Sequence, residues 1–438
     1  SWSAYWWSPD SRRIAFLEFD DAEVPTLTML HDEDSSRRVV EVNRYPRAGE
    51  PNPRVRLGIV SAAGGPVAWA DLSNYSSSAF LISGVFWRPD SKSVLACVQD
   101  RVQTWLDLLD APVDESKPRV LFRDQTKAWI SSPTAPSFLE DGSFLWLSSR
   151  DGWPHLYRYA ADGSPQGRLT EGEWEVRSLQ HVDAKTGEVV FLGTKNAPMS
   201  TQLYRVKPGG PVERITSGTG GYKTKHSPNG RYFVSTWSDL TTPSRLRLHA
   251  ADGSAIRTVD SNPVHAIKDF RFGPFERVQI PARDGFVLEG EVILPPDLDP
   301  SRKYPVWFKT YGGPHTSVVS DVWAGGRVGD QALASEGIIV FRVDPRSASG
   351  KGQTSAFTAY KQLGVRELED IKDALAWLKR RPYVDGSRIG MAGHSYGGYM
   401  TAYAMTHSDV FACGIAGAPV TDWRDYDSIY TERLMGMP

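Results

Sequence analysis

From residue 1 to about residue 260, short β-rich runs alternate with turns. The recurring unit is an aromatic or apolar residue, a Pro-Asp, Asp-Gly or related turn, and then an apolar run, as in Trp7–Ser11 followed by residues 14–17. Such turns recur at Ser11, Ser91, Gly142, Gly187 and Gly230. Between the turns, segments such as Leu203–Val206 alternate in side-chain direction with a period of two, which indicates strands.

The spacing of these turns predicts a repeated β architecture. The intervals are 80, 51, 45 and 43 residues, and the later three match the roughly 40–50 residues of one propeller blade. The first interval predicts either an insertion, at about residues 34–52, or two blades. Four short strands per unit, repeated radially, form a β-propeller. A large β-sandwich is the alternative, although it would not need a fixed period.

The pattern changes after residue 260, and we place a domain boundary near residue 268, with a β-propeller in residues 1–268 and a second domain in residues 269–438. Residues 337–343 form a continuous apolar run, which is typical of a strand buried on both faces of a parallel sheet. Apolar residues then follow at helical spacing, at Val365, Leu368, Ile371, Leu375 and Leu378. Strands alternating with helices predict an α/β domain with a mostly parallel sheet.

The pentapeptide Gly393–Gly397 has the form G-x-S-x-G, with Ser395 at its centre. An apolar run precedes it and a helical run of small and aromatic residues follows, so the context predicts a strand, a sharp turn and a helix. That order is the nucleophile elbow, which leaves a serine hydroxyl exposed above a sheet. The alternative is a glycine-rich turn whose serine only caps the helix. The flanking pattern favours the nucleophile.

Such a serine performs acyl transfer, and it needs a histidine base oriented by a carboxylate. In this arrangement Asp and then His follow the serine in the chain. The residues after Ser395 contain one histidine, His407, which lies about three turns along the predicted helix. His394 precedes the serine and is expected to point away from the pocket. Neither is a credible base, and the chain begins with Ser1, so we expect this chain to be a fragment.

The negative oxygen that develops during acyl transfer needs hydrogen-bond donors. One is the backbone N–H of Tyr396, the residue after the nucleophile. The second is either the hydroxyl of Tyr311 or a backbone N–H of Gly312 or Gly313, at the end of a predicted core strand. The alternative for Tyr311 is an aromatic ring that packs on the end of the sheet.

Composition excludes several other functions. A net charge of −2 gives no reason to expect a nucleic acid or an anionic membrane as partner. The two cysteines, Cys97 and Cys413, are far apart and provide no disulfide framework, which leaves the compartment open. No apolar run approaches 18 residues. The histidines are scattered without metal-ligand spacing, so the sequence predicts neither a metal nor a cofactor.

Several motifs together resemble the prolyl oligopeptidase family of serine peptidases, and within it the dipeptidyl-peptidase IV group. The general family motifs are Gly393–Met400 around the serine and Tyr311–Pro314. Motifs that resemble this group more specifically are Tyr5–Asp10, Tyr45–Gly49 with Asn52 and Pro53, and Trp423–Arg433. The resemblance covers essentially the whole chain.

The resemblance implies a β-propeller that caps an α/β-hydrolase domain, and release of Xaa-Pro or Xaa-Ala dipeptides from peptide N-termini. Ser395 would be the nucleophile, and Tyr311 with the Tyr396 amide would form the oxyanion hole. The pocket for the penultimate proline would be lined by Tyr396, Val420, Trp423, Tyr426 and Tyr430. Aromatic faces suit the flat apolar proline ring. The resemblance also implies a homodimer and a periplasmic or extracellular location.

The chain departs from the family pattern in three places. The paired glutamates that bind the substrate's free ammonium lie upstream of Tyr5 in relatives, and the catalytic Asp and His would lie beyond Pro438. Asp344–Ser347 stands where relatives have a glycine-richer Arg-Gly segment, which leaves the geometry of that loop open. Prolyl tripeptidyl and acylaminoacyl-type oligopeptidases on the same scaffold are alternatives, as is a catalytically silent peptide-binding protein.

Overall fold

The computed structural model describes residues 4–31, 39–75, 79–114, 117–131 and 133–438. The chain divides into two compact units. The first consists of Ser1–Arg150, Tyr157–Gly167 and Asp422–Pro438, and the second of Asp151–Leu156 and Arg168–Thr421. The boundary that the sequence predicts near residue 268 stays a prediction.

The strands of the first part of the chain are β1 (Tyr5–Trp7), β2 (Arg13–Asp20), β3 (Thr26–His31), β4 (Val39–Arg44), β5 (Arg54–Ser61), β6 (Ala68–Trp69), β7 (Phe80–Trp87), β8 (Ser93–Asp100), β9 (Trp105–Pro112) and β10 (Arg119–Gln125). They form two four-stranded sheets in the orders β1-β2-β5-β6 and β10-β9-β8-β7. Among the residues that the structure describes, strands β3 and β4 pair only with each other, as an antiparallel hairpin that lies between β2 and β5 in the sequence.

Three further four-stranded sheets follow. Their strands are β11 (Ser137–Phe138), β12 (Phe144–Ser148), β13 (His155–Tyr159), β14 (Pro165–Arg168), β15 (Val176–Val182), β16 (Val189–Gly193), β17 (Gln202–Val206), β18 (Glu213–Arg214), β19 (Gly221–His226), β20 (Tyr232–Ser238), β21 (Arg245–Ala250) and β22 (Ala255–Asp260). Each sheet takes its four strands in chain order. Five such sheets in the described residues confirm the predicted series of blades.

The recurring turns have one geometry. Each of the five joins the first strand of a sheet to the second, and its marker residue has a positive φ between 59° and 78°. In each, an Asp or Asn side chain accepts a hydrogen bond of 2.9–3.2 Å from the backbone N–H two residues later. These short polar side chains stabilise a turn at low steric cost, which explains their recurrence.

The long first interval contains the β3–β4 hairpin, inserted within the first sheet. The long interval is therefore explained by an insertion and not by a second blade. The hairpin begins at Thr26, earlier than predicted. Residues 34–38 of the predicted insertion lie outside the described residues.

The cores of the blades form between successive sheets. Strand β8 shows how: Val94, Ala96 and Val98 are buried against the first sheet, whereas Leu95 and Cys97 are buried in a second cluster with Phe144 and its neighbours. Because strand side chains point alternately to the two faces, one apolar strand serves two cores.

The α/β part has a six-stranded sheet built from β23 (Phe275–Pro281), β24 (Val287–Ile293), β25 (Tyr304–Lys309), β26 (Ile339–Asp344), β27 (Val384–His394) and β28 (Cys413–Gly417). The order is β23-β24-β26-β25-β27-β28, with the last four strands parallel. The α-helices of the described residues are α1 (Val328–Ser335), α2 (Gln353–Ala356), α3 (Val365–Leu378), α4 (Tyr396–His407) and α5 (Ser428–Met435), and α5 belongs to the first unit. The predicted mostly parallel sheet is confirmed. No helix in the described ranges is both long and apolar enough to cross a membrane.

The helical pattern between residues 365 and 378 is confirmed as α3. Leu368, Ile371, Leu375 and Leu378 are buried, but Val365 is exposed. Val365 is the first residue of the helix, and its side chain lies before the stripe that packs on the sheet.

Candidate active site

Ser395 alone separates β27 from α4, and its backbone is strained. Its φ is 58° and its ψ is −119°. A non-glycine residue in such a conformation costs about 1–3 kcal/mol, which the surrounding structure must offset. The amide of Ser395 donates to the carbonyl of Gly417 at 2.9 Å, and the Ser395 carbonyl accepts from the Tyr399 amide at 3.0 Å. The predicted strand, sharp turn and helix are present.

Glycines let the elbow approach its neighbours. A Cβ on Gly397 would lie 2.6 Å from the carbonyl oxygen of Thr310, at the end of β25. A Cβ on Gly393 would overlap the backbone of Gly397, and one on Gly398 would overlap the carbonyl of Gly417. Helix α4 can therefore lie against the ends of β25 and β28 only because these positions carry no side chain.

The two nearby histidines are not placed as bases. His394 is exposed at the end of β27. His407 is the last residue of α4, about 18 Å along the helix axis from Ser395 at 1.5 Å per residue. Its ring stacks on Tyr403 at 4.0 Å, and its Nδ1 lies 3.0 Å from the Tyr403 carbonyl oxygen.

Tyr311 lies beside the elbow in the second unit. Its ring centroid is 5.9 Å from that of Tyr396, with an interplanar angle of 41°. A Cβ on Gly313 would lie 2.5 Å from the Tyr311 ring and 3.2 Å from the Tyr396 ring. The Tyr396 amide is the first of α4, at the helix end where the macrodipole favours negative charge. Both predicted oxyanion donors therefore belong to residues that meet around the elbow.

Three aromatic residues of the predicted proline pocket, Trp423, Tyr426 and Tyr430, form a cluster within the first unit. Trp423 and Tyr430 are stacked, with centroids 5.8 Å apart and an interplanar angle of 15°. Tyr426 stands nearly perpendicular to both, at 5.9 Å from Trp423 and 5.6 Å from Tyr430. Asp427 caps α5 by accepting from the Tyr430 amide at 2.8 Å, which fixes the start of the helix.

Two family models match this chain. The model of the dipeptidyl peptidase IV N-terminal region matches residues 1–244, and that of the prolyl oligopeptidase family matches residues 328–438. The chain belongs to the prolyl oligopeptidase family, in its dipeptidyl peptidase IV group. The resemblance inferred from the motifs is thereby confirmed.

Individual relatives agree with this family. The chain is 30% identical over 454 residues to dipeptidyl peptidase 4 of Arthroderma otae, covering 99% of this chain and 58% of that protein. It is 29% identical over 453 residues to dipeptidyl peptidase 4 of Trichophyton equinum, covering 99% and 58%. The crystal structure of Porphyromonas gingivalis dipeptidyl peptidase 4 superposes with a TM-score of 0.93 at 30% identity, covering 100% of this chain and 62% of that chain. The chain thus spans somewhat less than two thirds of these relatives.

A propeller followed by a hydrolase domain, as in this family, accounts for the two kinds of sheet.

The second unit also contains a residue that sequence reasoning missed, Glu367 of α3. The Tyr396 hydroxyl donates to Glu367 Oε1 at 2.9 Å, and the Gly364 amide donates to Glu367 Oε2 at 3.1 Å. Burial raises the pKa of Glu367 to about 7. The sequence feature that could have indicated Glu367 is a glutamate three residues after the glycine at the start of a helix, which is half of a capping box.

The Glu367 contact constrains one pocket residue predicted from the family motif. Tyr396 is only 2% exposed, and its hydroxyl is directed to the buried carboxyl. Only its ring remains for contact with a substrate. Val420 is half-buried in the loop after β28 of the second unit. Both assignments stay predictions.

The loop at Asp344–Ser347, where the chain departs from the family pattern, has a defined geometry. Asp344 accepts from the amides of Val318 and Val319 at 2.8 and 3.1 Å, and burial raises its pKa to about 7. Arg346 donates to both Asp370, at 2.7 Å, and Asp284, at 2.8 Å. The loop therefore braces the segment that follows Tyr311, without the glycines expected there.

Proposed function

We propose that the full-length protein is a serine exopeptidase that releases N-terminal Xaa-Pro or Xaa-Ala dipeptides through an acyl-enzyme on Ser395. The observation that carries the proposal is the elbow itself, with Ser395 at a φ of 58° between a parallel strand and a helix. Its relatives are named dipeptidyl peptidase 4, which supports the substrate class.

The proposed reaction is an acyl transfer in two stages. Ser395 Oγ attacks the scissile carbonyl while its proton passes to a histidine base expected outside this chain. The Tyr396 amide and the Tyr311 hydroxyl stabilise the oxyanion. Collapse of the tetrahedral intermediate breaks the peptide bond, and the base returns the proton to the leaving amine. Water then hydrolyses the acyl-enzyme and releases the dipeptide.

Selectivity for proline is assigned to Tyr396, Val420, Trp423, Tyr426 and Tyr430. Trp423, Tyr426 and Tyr430 already form a cluster with ring centroids 5.6–5.9 Å apart. Flat aromatic faces can enclose a pyrrolidine ring or a methyl group, whereas a larger side chain would be excluded.

Ser395→Ala in the full-length protein tests the proposal. We expect covalent labelling by a fluorophosphonate probe to disappear and kcat to fall about 10⁶-fold, because no other group supplies the nucleophile. The control is Ser408→Ala, at the opposite end of α4, where the hydroxyl donates to the Ala404 carbonyl at 2.7 Å. Labelling that persists at another serine would contradict the assignment.

Substrate comparison separates the alternatives on this scaffold. Cleavage of free-amine Xaa-Pro substrates, and not of Xaa-Xaa-Pro or N-acyl substrates, is the expected result. A preference for either of the latter two would indicate a tripeptidyl or acylaminoacyl-type enzyme. A full-length protein that resists the fluorophosphonate would be a binding protein.

We also propose that the full-length protein is a homodimer. The β3–β4 hairpin exposes Leu30, Val40 and Val42 on one face and Leu27, Met29 and Val39 on the other. A lone two-stranded hairpin is marginally stable, and exposed apolar side chains on both of its faces favour contact with a second copy of the chain. Sedimentation of the full-length protein as a monomer would contradict this.

A further inference from the structure

The carboxylate of Glu432, on α5, is fully buried and has partners at both oxygens. Oε1 accepts from the Gly49 amide at 2.7 Å and from Arg101 Nη2 at 2.6 Å. Oε2 accepts from Arg101 Nε at 2.5 Å. These donors come from two different loops of the first unit, so a single carboxylate connects three segments that are distant in sequence.

Arg101 extends the connection. Besides Glu432, its Nη2 donates to the carbonyl oxygen of Glu50 at 2.5 Å. The planar guanidinium can make these bonds at once because its N–H groups have a fixed fork geometry. A lysine at this position would keep the charge but could not reproduce the two-point contact.

Further hydrogen bonds join the same segments. The Gln103 side chain donates to the Ile429 carbonyl at 2.8 Å. The Ser428 amide donates to the Pro46 carbonyl at 3.0 Å, and the Ala48 amide donates to the Tyr426 carbonyl at 3.1 Å. Helix α5 has eight residues and would not be stable alone. Its position therefore depends on these loops of the first unit.

Along the chain, the residues that make these hydrogen bonds coincide with the aromatic residues of the cluster or lie next to them. Tyr426 is held by its own carbonyl, and Tyr430 lies between Ile429, whose carbonyl is bound, and Glu432. A shift of α5 would move these rings against Trp423, at centroid distances of 5.6–5.9 Å. The contacts around Glu432 thus determine the shape of the aromatic cluster.

We infer that Arg101 and Glu432 are positioning residues that hold Tyr426 and Tyr430 in place and thereby determine the preference for proline over alanine at the penultimate position. This inference rests on the proposed function. Neither residue is assigned a contact with the substrate; both act through the aromatic rings. A purely structural pair would affect the yield of folded protein and would treat both substrates alike.

Arg101→Lys in the full-length protein tests the inference with dipeptide p-nitroanilides that carry Pro or Ala in the penultimate position. We expect KM for the proline substrate to rise about 10-fold, with kcat and the constants for the alanine substrate changed less than about twofold, because a small misfit in an apolar pocket has effects of that size. An unchanged ratio of kcat/KM between the substrates would overturn the inference, as would an equal loss for both.

The matched control is Arg88→Lys. Arg88 binds both oxygens of Asp110, at 3.3 and 3.1 Å, and the carbonyl of Ala161 at 2.8 Å, so its partners resemble those of Arg101. Its side chain is 12% exposed, against 15% for Arg101. The Arg88 variant should leave the ratio of proline to alanine cleavage unchanged.

Two further measurements keep the test decisive. If Arg101→Lys does not fold, the double variant Arg101→Met/Glu432→Gln leaves no unpaired buried charge and should show the same loss of proline preference. Hydrogen exchange of residues 422–438 should accelerate in either Arg101 variant and not in Arg88→Lys. If the wild type cleaves neither substrate, the proposed function fails, and exchange still decides whether the contact positions the segment. Unchanged hydrogen exchange in residues 422–438 would overturn the inference that Arg101 and Glu432 position this segment.

Discussion

The elbow around Ser395 and the aromatic cluster at Trp423–Tyr430 are held in place by different means. The elbow depends on backbone contacts at the ends of neighbouring strands, such as the bond from Ser395 to Gly417. The aromatic cluster depends on side chains from distant blades, and Glu432 binds Arg101 across 331 residues of sequence. The nucleophile and the selectivity of the proposed enzyme should therefore respond to different substitutions.

Tyr311→Phe is expected to give the largest difference between the effect on the rate of catalysis and the effect on selectivity. If the hydroxyl stabilises the oxyanion, kcat should fall about 10²–10³-fold with KM nearly unchanged, because the bond strengthens only as charge develops. The ratio of proline to alanine cleavage should stay constant, since the aromatic cluster is not altered. Steady-state kinetics of the full-length protein measure both quantities.

Tyr232→Phe, at an exposed position on β20, is the control and should change neither kcat nor the ratio of proline to alanine cleavage. An unchanged kcat for Tyr311→Phe would move the second donor to the backbone of Gly312 and Gly313, and Tyr311 would then only pack on Tyr396.

A smaller effect is expected for Gly397→Ala. Its Cβ would lie 2.6 Å from the Thr310 carbonyl and 3.3 Å from the Tyr311 Cα, so α4 and β25 must separate. We expect labelling of Ser395 by a fluorophosphonate to slow about 10²-fold, since misplacement near 1 Å has effects of that order.

Gly329→Ala, on α1, is the matched control because a Cβ there would meet no described atom within 4 Å beyond its chain neighbours and the backbone of its own helix. Equal labelling rates for Gly397→Ala and the wild type would show that the elbow tolerates a displaced helix. Hydrogen exchange in residues 422–438 should be the same in both glycine variants, since the aromatic cluster is held separately.

The smallest effect concerns stability. The pKa of Glu367 is raised from 4.5 to about 7 by burial, so the folded protein keeps a proton that the unfolded chain loses. The folded state binds more protons in that window, and this carboxyl therefore lowers stability as pH rises from 4.5 to about 7. Glu367→Gln has no proton to lose and should reduce the fall in urea midpoint between about pH 5 and about pH 8.

Glu369→Gln, on the same helix with a side chain 42% exposed, is the control and should keep the wild-type pH dependence. Asp344, whose pKa burial also raises to about 7, should preserve part of the slope in both variants. An identical pH dependence of stability in Glu367→Gln and wild type would contradict a raised pKa of Glu367 in the folded protein.

The sequence predicted those parts of the fold that depend on local rules. The turns at Ser11, Ser91 and their counterparts repeat because an Asx side chain and a positive φ specify a tight turn within four residues. Likewise, Gly393–Gly397 predicts the elbow because only glycine permits the close approach. Val365 belongs to the predicted helix but is exposed, and periodicity alone does not show where a helix begins to pack on the sheet.

The partners of Glu367, Asp344 and Glu432 could not be predicted in this way. A buried carboxyl requires donors, but the sequence does not say which N–H groups the fold brings within reach. The departure at Asp344–Ser347 is an example, because the glycine-poor loop is braced by amides of Val318 and Val319 and by two distant carboxylates.

By itself, the sequence determined the repeat, the strand, turn and helix of the elbow, and the family, because each is specified by residues close together in the chain. Only the tertiary structure decided how α5 and its aromatic side chains are held. The bonds of Arg101 and Gly49 to Glu432 span 331 and 383 residues, and no local pattern encodes such a pairing. It exists because the fold brings three loops together around one buried charge, which must be neutralised where it lies.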